Sequence, residues 1–101
     1  MARPTMTAEA FEVLQPRLSH LTLSTIEITR EVLVEGKSQS EVARRHGITR
    51  QSVSDMVARV RAAAKEIERG WRKVEVWLPP EMAEQVRKME AEARAQLARE
   101  K

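Results

Sequence analysis

The sequence predicts a mainly α fold, and three features of its 101 residues carry that prediction. Apolar residues recur at three- and four-residue steps along most of the chain, the spacing that gathers them on one face of a helix. Capping residues, Thr7, Ser24, Ser38 and Thr49, precede four of these stretches, and Gly36, Gly47 and Gly70 follow three of them. Only the run WRKVEVWL, residues 71–78, alternates at period two.

Thr7 caps a first helix in TAEAFEVLQPRL, with Phe11, Leu14 and Leu18 on one stripe, and Pro16 ends or kinks it. Ser24-Thr25-Ile26-Glu27 is a Ser-x-x-Glu capping box that opens a second helix. Ile26, Thr29, Val32 and Leu33 share one face of it, and Gly36 suits the position just past its end. Ser38 repeats the box with Glu41 and starts a third helix. After Gly47, Thr49 caps a fourth, from Arg50 to about Glu68, which Gly70 stops.

Beyond Gly70, Val74, Val76 and Leu78 alternate with Lys73, Glu75 and Trp77, which predicts one short β-strand. Pro79-Pro80 ends it, and Pro80 takes the first position of a last helix with Met82, Val86, Met89, Ala93 and Leu97 on one seam. A lone strand cannot satisfy its own backbone groups. The simplest partner is the same strand of a second copy, antiparallel across a two-fold axis; the alternative is an irregular extended linker. The expected organisation is a helical domain over residues 1–69 and a dimerisation strand and helix over 70–101. Trp71, Val74, Val76, Trp77, Leu78, Met82, Val86 and Met89 are the expected interface residues.

Composition narrows the function. Without cysteine there are no disulfides, thiolate chemistry or Cys-based zinc sites, and two isolated histidines, His20 and His46, make no metal cage. No apolar run approaches a membrane span and the first residues lack a signal-peptide core, so a soluble, cytoplasmic protein is expected. The net charge of +3 is unevenly spread: residues 1–36 carry −2, residues 37–61 carry +4 and residues 62–101 carry +1. The basic segment coincides with the Gly-Ile-Thr corner, as a phosphate-contacting surface requires.

That corner has the features of a helix-turn-helix. Ala43 is small where the helices cross, Gly47 tolerates positive φ, and Val42, Ile48, Val53 and Met56 plug the space between. His46 stands where a large apolar residue is usual, and reads as a partly buried, hydrogen-bonded packing residue. In the recognition helix Val53, Met56, Val57 and Val60 point inward or edgewise. Arg50, Gln51, Ser54, Asp55 and Arg59 are then candidates for reading base edges, arginine against guanine and glutamine against adenine. Asp55 either accepts from a cytosine amine, holds Arg59 one turn on, or forms a solvated ion pair with no DNA role. Lys37, Ser38, Gln39, Ser40, Arg44, Thr49 and Ser52 are candidate phosphate contacts around the bracing helix. Arg45 and Arg61 add general positive charge.

The run TIEITREVLVEGKSQSEVARRHGITRQSVSDMVARV, followed by a Val-rich segment ending in LPPE and a charged helix, resembles the TrfB/KorA-type transcriptional repressors of broad-host-range bacterial plasmids. The resemblance covers about residues 23–95. It implies a homodimer that binds a short palindromic operator and represses plasmid replication, partition or transfer genes. It also implies dimerisation through the C-terminal part and cooperation with a larger ParB-like repressor. Base-reading residues would lie after Thr49, with Arg50, Asp55 and Arg59 as candidates. Asp55 departs from the pattern, since a neutral amide is expected there.

Two other readings compete. A sigma-region-4-like promoter-recognition module would carry a similar VARRHGIT run, but the chain is too short for the polymerase-binding regions that normally precede it. A protein-interaction adaptor would use the last helix to hold a partner and leave the basic face incidental. An enzyme is not expected: no nucleophile accompanies a base, no acidic cluster has metal spacing and no phosphate loop is present. No cofactor is expected either.

Overall fold

A computed structural model describes residues 3–100, and among them the chain forms five α-helices and one 3₁₀ turn. Helix α1 (Ala8–Leu14) starts where its cap predicts, with Thr7 Oγ1 accepting from the Ala10 amide at 3.1 Å. Pro16 has no amide hydrogen to continue the helix, so the chain tightens into the 3₁₀ turn Gln15–Leu18. Phe11, Leu14 and Leu18 are all buried.

Helix α2 (Leu23–Leu33) begins earlier than the Ser24 box predicts. Its cap is Thr22, whose Oγ1 accepts from the Thr25 amide at 3.1 Å, while Ser24 already lies inside the first turn. Thr22 offers the same hydroxyl two residues sooner on extended backbone, and the longer helix gains backbone bonds. Within α2 the fully buried Thr29 hydroxyl donates back to the Thr25 and Ile26 carbonyls, at 2.9 and 3.0 Å, so it leaves no orphaned donor in the core.

Helix α3 (Gln39–His46) is capped by Ser38, whose Oγ accepts from the Glu41 amide at 3.1 Å. Gly47 ends it in the left-handed conformation (φ 67°, ψ 32°), and the Ile48 amide closes onto the Ala43 carbonyl at 3.0 Å. Helix α4 (Arg50–Glu68) restarts at once, with Thr49 Oγ1 accepting from the Ser52 amide at 3.0 Å. At eight residues α3 is too short to persist alone in water, so packing must hold it. α3 packs on α2, with Val42 and Ala43 buried on its side and Ile28 and Leu33 buried on α2, while Val53, Val57 and Val60 of α4 are buried as well. Each buried valine, leucine or isoleucine of this group contributes about 1.5–3 kcal/mol, and Ala43 less.

The chain divides into two compact units, Met1–Ala64 and Lys65–Lys101. The first holds α1, the 3₁₀ turn, α2, α3 and most of α4. Its leading segment is tied down by the Thr5 and Met6 amides, which both donate to the Leu33 carbonyl at 2.9 and 3.0 Å. The second holds the last turn of α4, an extended segment and α5 (Pro80–Arg99), with Pro80 in its first turn. Lys65 Nζ donates to the Leu97 and Glu100 carbonyls, each at 2.8 Å, and Arg69 pairs with Glu100 at 2.5 Å.

The predicted strand does not form. Residues 71–79 carry no regular secondary structure, and no strand occurs among the described residues. The period-two alternation reports an extended backbone with two unlike faces, but a single chain offers no neighbouring strand with which to build a ladder. Val74, Val76 and Trp77 consequently stay exposed, Trp77 completely. Along α5 the apolar seam is buried only at Leu97, and Met82, Val86 and Met89 face solvent.

Candidate nucleic-acid interface

The first three turns of α4 separate their side chains cleanly. Val53, Val57 and Val60 enter the core, while Arg50, Gln51, Asp55 and Arg59 are exposed and Ser52, Ser54 and Met56 are half-buried. Arg50, Gln51 and Ser54 line a shallow concavity together with Gln39 from the first turn of α3. Residues from α3 and α4 thus share one surface, which Gly47 makes possible by turning the chain through a left-handed residue. Asp55 does not hold Arg59: its Oδ1 accepts instead from Gln51 Nε2 at 2.9 Å.

Several expected phosphate contacts have intrachain work. The hydroxyls of Ser38 and Thr49 serve as caps, and Thr49 also donates to Ser52 Oγ at 2.9 Å. Lys37 Nζ lies 3.1 Å from Glu31 and 3.3 Å from Glu35, although the Lys37 side chain keeps partial exposure. Ser40 and Arg44 are exposed, and Gln39 is half-buried. Arg61 reaches Thr5 Oγ1 at 3.3 Å.

Glu31 is the residue that sequence reasoning missed. It is buried in α2, and its Oε1 accepts from Lys37 Nζ at 3.1 Å and Arg45 Nη1 at 2.8 Å. Its Oε2 lies 2.6 Å from His46 Nε2, so the histidine at the apolar-looking position is held by a carboxylate. Burial raises the Glu31 pKa, but the hydrogen bonds from His46 and Lys37 and the charges of Lys37 and Arg45 outweigh it. The carboxyl therefore sits below its ordinary value. The same contact with Glu31 raises the pKa of Lys37. A glutamate three residues after Ile28 and next to Val32, on the buried side of α2, was the available signal.

In the second unit the expected interface residues divide. Trp71 is half-buried beneath Arg94, whose guanidinium lies 5.6 Å from the ring centroid and bonds Glu66 and Glu90. Val74, Val76, Trp77, Leu78, Ala83 and Val86 line an open concavity that Glu75 and Arg87 also border. Met82 and Met89 extend the exposed apolar surface along α5.

The model of the TrfB plasmid transcriptional repressor family matches residues 6–88, from the cap of α1 into the first half of α5. The chain belongs to that family. Two TrfB transcriptional repressor proteins of Escherichia coli are similar to it, one 47% identical over 72 residues and the other 44% identical over 71. Each match covers 69% of this chain and 71% of the relative. Membership in the TrfB family makes the chain a plasmid transcriptional repressor by kind, a regulator and not an enzyme. No described helix is long and apolar enough to cross a membrane.

Proposed function

We propose that the chain is a sequence-specific double-stranded DNA-binding repressor. It acts as a homodimer on a palindromic operator and controls plasmid replication, partition or transfer genes. The observation that carries this reading is the exposed polar face of α4, with Arg50, Gln51, Asp55 and Arg59 anchored from behind by the buried Val53, Val57 and Val60. A helix held this way can enter a major groove, and bidentate donors such as arginine read guanine O6 and N7 there. Arg44, Ser40 and Gln39 on the bracing helix would clamp the flanking phosphates.

Homodimerisation is proposed through the exposed apolar side chains of residues 74–78 and of α5, which one chain leaves uncovered. Two recognition helices related by a two-fold would then read half-sites one helical turn or a small multiple apart, ~34 Å each. Repression follows from occupying a promoter, in the bacterial cytoplasm where the plasmid resides, and cooperation with a ParB-like repressor follows the family pattern. The test is selection of binding sites from a random duplex library. A recovered palindrome is the expected result; no enriched sequence, with binding that disappears at moderate salt, would reduce the surface to non-specific charge.

A further inference from the structure

The Gln51–Asp55 hydrogen bond fixes which atoms these side chains offer to a ligand. A carboxylate only accepts, so Gln51 must turn its amide nitrogen toward Asp55 Oδ1, 2.9 Å away. Its carbonyl oxygen therefore faces elsewhere. Both residues are exposed and lie one turn apart on α4, and Gln51 also lines the concavity shared with Gln39, Arg50 and Ser54. Together they present two acceptors, Gln51 Oε1 and the second carboxylate oxygen of Asp55.

In the major groove the donors are the exocyclic amines, adenine N6 and cytosine N4, whereas guanine and thymine offer O6 and O4 as acceptors. We propose that Gln51 and Asp55 form one specificity element that accepts from adenine or cytosine amino groups and rejects guanine and thymine at the base they face. Asp55 acts here both on the base and on Gln51, because it holds the amide in the orientation that exposes its oxygen. Arg50, immediately before the pair, offers only donors and complements it by favouring guanine. A negative charge this close to phosphates also lowers affinity for all DNA, so Asp55 exchanges general attraction for discrimination. The inference rests on the proposal that α4 reads DNA.

The experiment compares the full-length wild type with Asp55→Asn, Asp55→Ala and Gln51→Ala on the selected duplex and on duplexes carrying each base at each half-site position. The wild type is expected to lose on the order of tenfold affinity when one amino-bearing base becomes guanine or thymine. Asp55→Asn and Asp55→Ala should lose that discrimination at the same position, keep the preferences elsewhere and bind unrelated duplex more tightly. Gln51→Ala should relax the same position or its neighbour. If the bond only supports the helix surface, all three variants keep the wild-type preferences, and the inference fails while the DNA-reading proposal stands. If the wild type binds every duplex alike, the DNA-reading proposal itself fails. Circular dichroism of the variants, all altered at exposed positions, confirms that each is folded.

Discussion

Replacing Glu31 with glutamine tests whether a buried carboxylate locks α3 to α2. The Glu31 side chain is 12% exposed and meets Lys37 at 3.1 Å, Arg45 at 2.8 Å and His46 at 2.6 Å. Glutamine keeps the shape and one acceptor but removes the charge. Glutamine can keep its oxygen toward Lys37 and Arg45 and turn its amide nitrogen toward His46, so the loss falls mainly on the bonds from Lys37 and Arg45, whose acceptor is no longer charged. Each weakens by on the order of 1 kcal/mol when its acceptor loses charge. Arg45 is 53% exposed and recovers water, which shrinks its share. The expected destabilisation at neutral pH is about 1–2 kcal/mol, a fall in Tm on the order of 5–10 °C. The pH dependence carries the stronger test. Because the folded pKa of Glu31 lies below its unfolded value, its contribution is complete above about pH 4.5 and is lost as pH falls through the lower folded value. Urea denaturation from pH 7 to 3.5 should therefore show wild type and Glu31→Gln converging in acid. A difference that stays constant across that range, or no difference at pH 7, would refute the network.

Other perturbations reach the remaining parts of the molecule. Gly47→Ala should cost about 1–2 kcal/mol in thermal or urea unfolding, because only the left-handed backbone is strained and the space for a Cβ is open. Gly36→Ala should cost more, since its Cβ would stand 2.6 Å from Pro4 Cδ and 2.7 Å from Pro4 N; equal losses at the two glycines would exclude that close approach. Arg50→Ala should lose roughly 1–3 kcal/mol on the best duplex and relax one base preference, whereas an equal loss on every sequence would make Arg50 a phosphate contact. Val86→Glu combined with Met89→Glu should leave the helix content intact, because both side chains are exposed, and shift sedimentation to the monomer; an unchanged dimer would move the interface elsewhere.

Much of the first unit is legible in the sequence because its signals are local. Ser38 and Thr49 as caps, Gly47 as the left-handed corner and Val42, Ala43 and Val53 as packing residues each depend on neighbours a few positions away. The start of α2 is misjudged because Thr22 and Ser24 offer the same hydroxyl chemistry, and the choice turns on backbone geometry at Thr22. Glu31 is hidden for a different reason. Its partners lie six, fourteen and fifteen residues away, and only the fold brings Lys37, Arg45 and His46 to one carboxylate. The pairing of Gln51 with Asp55 was available at i, i+4, yet charge favoured Arg59, also four residues from Asp55, as its partner. Residues 71–78 misled because alternation describes a conformation, while a strand also needs a second segment to pair with.

The most direct test of the central claim is the binding stoichiometry and specificity ratio of the full-length chain on its selected duplex at physiological salt. Sedimentation or native mass spectrometry counts the chains, and competition with unrelated duplex gives the ratio. Two chains per palindrome and a preference of roughly 10³-fold or more would meet the expectation for a dimeric operator-binding repressor. One chain per duplex, or equal affinity for selected and unrelated DNA, would contradict it.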